Sequence, residues 1–571
     1  MALTVASEAG TRRIRRSTDA PTLVVTALVV ALLGLLILYP LLRILTTAAD
    51  PAGISVMTGI LSSPVNRAIL LNTVVLGALV GALGTLLGFL MAFLQVRVAL
   101  PGKRLLHLLS LLPVVSPPFA VATGVISLCG RRGIITYGVF GWQAQLYGLP
   151  GLVLVLTLSY FPVAYMNFKG LLESLDPALD EAAADLGATA WRRFWTITVP
   201  LLVPGFAASF LLLFVESIAD LANPLVIGGD YTVLASRIYI AITGEYDVIS
   251  GAAYSIVLLV PALLVFLVQR YWVSRKNVVS VTGKPAGTPT LLAGPGRIPL
   301  AVAGYLVLGL VALIYLTVLL GAFVRILGVN NEPTLDNFAY VLGSIGNESI
   351  KDTTILAAVA TPIAGLLGMV IAWLVVRKLR RLSGAIDLLG MLGLAVPGTV
   401  VGIGYAIAFN TPLIIGNRMY FPALAGGGAV LGGALAIVMV YVIRSLPAGQ
   451  QTGIAALRQI DPAIDEASAS LGANSITTFR RITLPLIRPA FLAGLIYAFA
   501  RSMTTISAIV FITTPQTQIM TKQILAEVDA GRYGNAFAFS TLLLGIVLAV
   551  MGVLSLVVRG NPAARTVGGG Q

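Results

Sequence analysis

The sequence predicts an all-α, polytopic membrane protein of about twelve transmembrane helices, arranged as two parallel repeats of six. Three observations carry that prediction. The first is composition: of 571 residues, 57% are hydrophobic and 11% charged, and mean hydropathy is +0.95, whereas a soluble chain of this size carries about 25% charged residues. The second is a series of apolar runs reaching the ~20 residues that cross a bilayer as helix. Lipid offers no partner to backbone N–H and C=O groups, so such runs must be helical. The third is a polar stretch that recurs 285 positions later, DEAAADLGATAWRRFWTITVPLLVPG at 180–205 and DEASASLGANSITTFRRITLPLIRPA at 465–490.

Composition also excludes alternatives. A net charge of +14 would suggest nucleic acid in a soluble chain, but here the basic residues are spread among loops between apolar spans, where positive-inside bias accounts for them. One cysteine, Cys129, rules out an internal disulfide and a cysteine-rich metal site. Arg12, Arg13, Arg15 and Arg16 precede a long apolar run. This run is longer than a signal-peptide core and lacks a small-residue cleavage site, so it reads as an uncleaved first span with its basic flank in the cytoplasm.

The twelve spans are expected at roughly 21–45, 69–95, 105–128, 149–167, 201–222, 251–269, 298–322, 353–376, 386–409, 428–444, 489–511 and 535–558. With both termini inside, 26 of the 37 lysines and arginines fall in cytoplasmic segments while the acids divide evenly, the signature of topology rather than of net charge. The recurring stretch then faces the cytoplasm in both copies.

The windows 176–204 and 461–489 align without a gap, with 16 identical positions. A weaker match extends upstream at an offset of 280, pairing Arg97 with Arg377, Pro117 with Pro397 and Gly124 with Gly404. Each half therefore holds six spans, with the copied loop between its fourth and fifth. An even number of spans makes the repeats parallel, related by an axis along the membrane normal. The expected domains are residues 1–269 and 298–571, joined by a basic, Gly/Pro-rich cytoplasmic linker at 270–297.

Within the loop, Asp176 is placed to cap a helix whose first residue is Pro177, where a missing N–H costs nothing. Asp180, Glu181 and Asp185 follow among alanines and leucines, and Gly187 suits the left-handed end of a helix. A second segment over 188–198 sets Trp191, Phe194 and Trp195 on a shared face, and Pro200 and Pro204 mark re-entry into the membrane. Asp461, Pro462, Glu466, Gly472, Pro485 and Pro489 repeat each device. The product is a short helix outside the bilayer, tied at both ends to spans and suited to carry force from a cytoplasmic partner.

Glu181-Ala182-Ala183, then Gly187 and Val199-Pro200, resembles the cytoplasmic loop of permease subunits of ABC importers. Glu466-Ala467-Ser468, Gly472 and Leu484-Pro485 form a second copy, with Ser468 replacing an alanine; Val199 stands where leucine is usual. The resemblance implies the type I ABC importer permease fold. It implies docking of each loop in a cleft of a separate ATPase subunit, with two copies of that ATPase per chain. Stretches at 116–125, 147–165, 219–239, 269–284 and 396–410 look like the fused ferric-iron permeases, which work with a periplasmic binding protein. Thiamine and aminoethylphosphonate permeases share much of that scaffold and remain alternative substrate classes. The chain has no G-x-x-x-x-G-K-[ST], H-E-x-x-H or G-x-S-x-G. It is therefore expected to be a transport subunit with no cofactor or catalytic site of its own, with ATP used by its partners.

Glu216 and Asp220 fall late in span 5 and Arg501 late in span 11, and Glu216 maps onto Arg501 at the loop offset of 285. Ionisable groups at membrane depth face a pathway or one another. Two readings stand: Glu216 and Arg501 meet across the pore as part of a gate or substrate route, or each sits wet and separate at the outer interface. Asp220, Asp230, Glu245 and Asp247 add negative charge to the outer side. These acids either attract a cationic substrate or basic residues of a binding protein, or are ordinary solvated acids. The single histidine, His107, is expected at a span end, and no tight metal site is expected in this subunit. An ion-coupled secondary transporter would need acids or histidines mid-span, in which the sequence is poor.

Overall fold

The computed structural model describes residues 20–273, 291–292, 294–379, 381–415 and 418–559. The four N-terminal arginines, and residues 274–290 and 293 of the expected linker, lie outside these. Among the described residues, ten helices are long and apolar enough to cross a membrane, and twelve spans result if each of two sharply bent pairs is one span. Spans 4 and 10, both expected to be short, are helices of 26 residues each, Leu149–Ser174 and Ala434–Gln459.

Spans 3 and 9, each expected as one apolar run, are broken near their middles. Span 3 divides into Lys103–Val115 and Pro118–Cys129, and span 9 into Ser383–Ala395 and Gly398–Phe409, which meet at 101°. The cause is proline at equivalent places. Pro117 and Pro397 force the preceding Ser116 and Val396 into extended backbone (ψ 154° and 127°). A proline also strands the carbonyl four residues earlier, and each half satisfies it differently. The Ser116 hydroxyl donates to the Pro113 carbonyl (3.3 Å), whereas the Arg444 guanidinium donates to the carbonyls of Gly393 and Val396 (3.0 and 3.1 Å). Arg444, expected at a cytoplasmic span end, is in fact an interior residue of span 10.

Span 2 (Pro64–Arg97) packs against spans 4 and 5 through Gly77, Gly81, Gly84 and Gly88, one face of the helix. A Cβ at Gly77 would lie 2.7 Å from Ile218, and one at Gly81 would lie 3.1 Å from Phe210. Only glycine lets the backbones approach this closely. In the second half, Gly368 and Gly453 do the same for spans 8 and 10.

The halves interlock through their first spans. Span 1 (Ala20–Ala48) lies on Gly398–Phe409 of the second half, where Tyr405 donates to the Leu36 carbonyl (2.8 Å). Span 7 (Ile298–Ala322) lies on Pro118–Cys129 of the first, where Tyr315 bonds Ser116 (2.5 Å).

Candidate functional site

The copied loops form one device built twice. In the first copy a helix runs Pro177–Asp185, and the Asp176 carboxylate accepts from the Ala178 N–H (3.0 Å). In the second, Asp461 accepts from the Ala463 N–H (2.9 Å), and the helix runs Ala463–Ser470, so Pro462 stands just ahead of it. Gly187 and Gly472 end these helices in the left-handed region, at φ +81° and +82°, which side chains with a Cβ seldom adopt. Thr189 and Asn474 then cap the second segments by accepting from the Arg192 and Thr477 N–H groups (3.3 and 2.8 Å).

Each second segment passes through a single π-turn, Phe194–Thr198 or Phe479–Thr483, before re-entering the bundle. The rings of Trp191, Phe194 and Trp195 gather as the spacing predicts, with centroids 5.4–6.1 Å apart. The copies then diverge. Pro200 begins a continuous span 5 helix, Val199–Ile218, that tolerates Pro204 inside it. The stretch holding Pro485 stops at Leu486, and span 11 resumes at Arg488 after a 76° bend.

Two faces distinguish these loop helices. The inner face carries Asp180, paired with Arg97 at the end of span 2 (2.5 Å), and Asp465, paired with Arg377 at the end of span 8 (3.3 Å). The outer face carries Glu181, Ala182, Glu466 and Ala467, all exposed, and Leu186 and Leu471, each 89% exposed. Neither the ion pairs nor the exposed leucines were expected from the sequence. Signals for both were present: Arg97 aligns with Arg377, and leucine stands beside the helix-ending glycine in both copies of an otherwise polar loop.

The second candidate feature joins the halves. The Arg501 guanidinium donates to both Glu216 carboxylate oxygens (3.2 and 3.3 Å), with side chains 24% and 17% exposed. The two side chains, one from each half, are therefore an ion pair in the structure. Arg444 lies close enough for its charge to act on both partners. Asp220 is not brought to Arg501. It is buried and accepts from the Tyr160 hydroxyl (2.5 Å) and from the N–H and side-chain amide of Asn223 (2.9 and 3.1 Å), holding the short helix that follows span 5.

The acids expected to form an outer negative field are mostly committed. Glu245 pairs with Arg237 (2.7 Å), and Asp247 caps span 6 by accepting from the Ser250 N–H (2.9 Å). Asp230 and Glu245 are exposed, and Asp230 stands beside Arg131 and Tyr147 at a pocket of 570 Å³. His107 bonds the Tyr165 hydroxyl (2.6 Å).

Comparison with known proteins agrees with this architecture. The family model for the binding-protein-dependent transport system inner membrane component matches twice, at residues 84–278 and 364–566. A ferric transport system permease protein of Actinobacillus pleuropneumoniae is 37% identical over 80% of this chain, which spans 65% of that relative's length. A putative ferric transport system permease protein of Haemophilus influenzae is 34% identical over 86% of this chain and 78% of its own length. The molybdenum transport system permease protein of Escherichia coli is 32% identical over 32% of this chain and 82% of its own length. Twice-matched across more than half its length, the chain belongs to the family of binding-protein-dependent transport system inner membrane components.

Proposed function

We propose that this chain is the permease of an ABC importer for ferric iron in the cytoplasmic membrane. A secreted binding protein delivers the substrate on the outer side. Two copies of a separate ATPase subunit seat on the loops after spans 4 and 10, which face the cytoplasm with both termini. The observation that carries this reading is the duplicated loop helix, pinned inward by an aspartate and offering a glutamate and a leucine knob outward. An ordinary connecting loop has no need for two such faces, still less for two copies at equivalent places.

The roles divide by residue. Asp176 and Asp461 start the docking helices, and Gly187 and Gly472 turn the chain at their ends. Glu181, Ala182, Glu466 and Ala467 face the partner, and Pro200 and Pro485 return the chain to the membrane. Glu216 and Arg501 form a gate across the two halves, and Asp220 holds the backbone beside it. ATP is consumed by the partner subunits, and this chain needs no cofactor.

Iron is favoured over molybdate by extent: the ferric permeases match over 80–86% of the chain, the molybdenum permease over a third. In cells lacking other iron uptake, this chain expressed with its neighbouring ATPase and binding protein should support accumulation of radioactive ferric iron and not of molybdate. Accumulation of molybdate alone would overturn the substrate assignment. Orientation is checked separately. With Cys129 replaced by serine, a cysteine at position 186 should react with an impermeant maleimide only after the cells are opened, and labelling of intact cells would invert the topology.

A further inference from the structure

Arg97 and Arg377 are the most buried basic side chains in the described ion pairs, 7% and 5% exposed. Each ends a span not adjacent in sequence to the loop helix it grips, and each grips the inner-face aspartate. Arg193 adds a bond from its guanidinium to the Asp180 carbonyl (3.1 Å), fastening the second loop segment to the first. Arg377 also donates to the Leu457 and Ile460 carbonyls at the end of span 10 (3.1 and 2.6 Å), where helix carbonyls otherwise lack partners. Lys378 reaches Ser475 (2.6 Å); its counterpart in the first half is Val98, which can make no such bond.

We infer that Arg97 and Arg377 are positioning residues for energy coupling: each makes span 2 or span 8 part of the lever that its loop helix moves. This inference rests on the docking reading above. The chain itself joins the loop helix only to the spans before and after it, through the extended Leu175 and the left-handed Gly187 in the first half. Without the ion pair the helix is free to swing at those two points. With it, a push on the helix moves span 2, and the glycine-lined face of span 2 carries spans 4 and 5 along. The second half has an additional tie through Lys378 and the first does not, so the first half depends more heavily on its arginine.

The test uses the complete complex of this chain with its ATPase subunits in nanodiscs or proteoliposomes. Co-purification of the ATPase and iron moved per ATP hydrolysed are both measured. Asp180→Asn keeps the loop helix and its exposed docking face. It should leave co-purification intact and lower iron moved per ATP by about tenfold, within the range by which residues between two coupled sites change their coupling. Asp465→Asn should lower it less, because Lys378–Ser475 remains. The exchange of charges, Arg97→Asp with Asp180→Arg, should recover most of the loss.

An unchanged ratio in Asp180→Asn, with the ATPase bound, overturns the lever while leaving docking intact. So does failure of the exchanged pair to recover the ratio in an assembled complex. An ATPase that never co-purifies with the unaltered chain overturns the docking reading and the lever with it.

Discussion

Replacing Leu186 and Leu471 together by aspartate is expected to abolish ATPase docking and bring uptake to background. Each leucine is 89% exposed at the tip of a protruding helix, so neither holds the fold. Exposed substitutions of this kind change stability by about 0.5 kcal/mol or less. Buried in a partner's cleft, two leucines contribute about 3–6 kcal/mol, or about 10²–10⁴ in affinity, and an aspartate placed there adds a desolvation cost. Co-purification of the ATPase should be lost while thermal unfolding of the isolated chain stays within a few degrees. Full retention of the ATPase would remove the outer faces of these helices from the docking surface.

The second large effect lies at the contact between halves. Glu216→Arg alone, or Arg501→Glu alone, sets like charges together where both side chains are less than a quarter exposed. Breaking such a pair costs about 3–5 kcal/mol, so uptake in either single variant should fall to a few per cent or less. The double exchange restores opposite charges across the same gap and should recover a substantial part of uptake. Equal loss in the double exchange and in the singles would mean that the two residues act separately, and a gate formed by their pairing would be wrong.

These two regions were not equally legible in the sequence. The loop helices were readable because their devices are local. A capping aspartate, a proline at the first turn and a glycine after the last turn act within a few residues, and repetition at 285 positions removed most of the ambiguity. The partners of the inner-face aspartates were not readable, because Arg97 and Asp180 are 83 residues apart and nothing in either stretch names the other. Glu216 and Arg501 could be suspected of meeting only because the repeat put them at equivalent places.

The broken spans were missed for a different reason. SPP at 116–118 and VPG at 396–398 sit inside apolar runs whose hydropathy is continuous, and hydropathy does not register the backbone restriction that proline imposes on the preceding residue. Arg444 was misplaced by the same weakness. An arginine near the end of an apolar run reads as an interfacial anchor, whereas here it repairs the hydrogen bonding that Pro397 breaks. Leu186 and Leu471 were overlooked because single exposed leucines are common; it is their recurrence at the same turn that singles them out.

Uptake into sealed proteoliposomes tests the central claim most directly: the halves of this chain are moved by ATPase subunits acting through the two loop helices. The chain is reconstituted with its ATPase, with ferric-loaded binding protein outside and nucleotide inside. Iron should enter only with hydrolysable ATP and the ATPase present, and should stop with a non-hydrolysable analogue or with Leu186→Asp and Leu471→Asp. Entry at an undiminished rate when the ATPase subunit is left out would contradict the account.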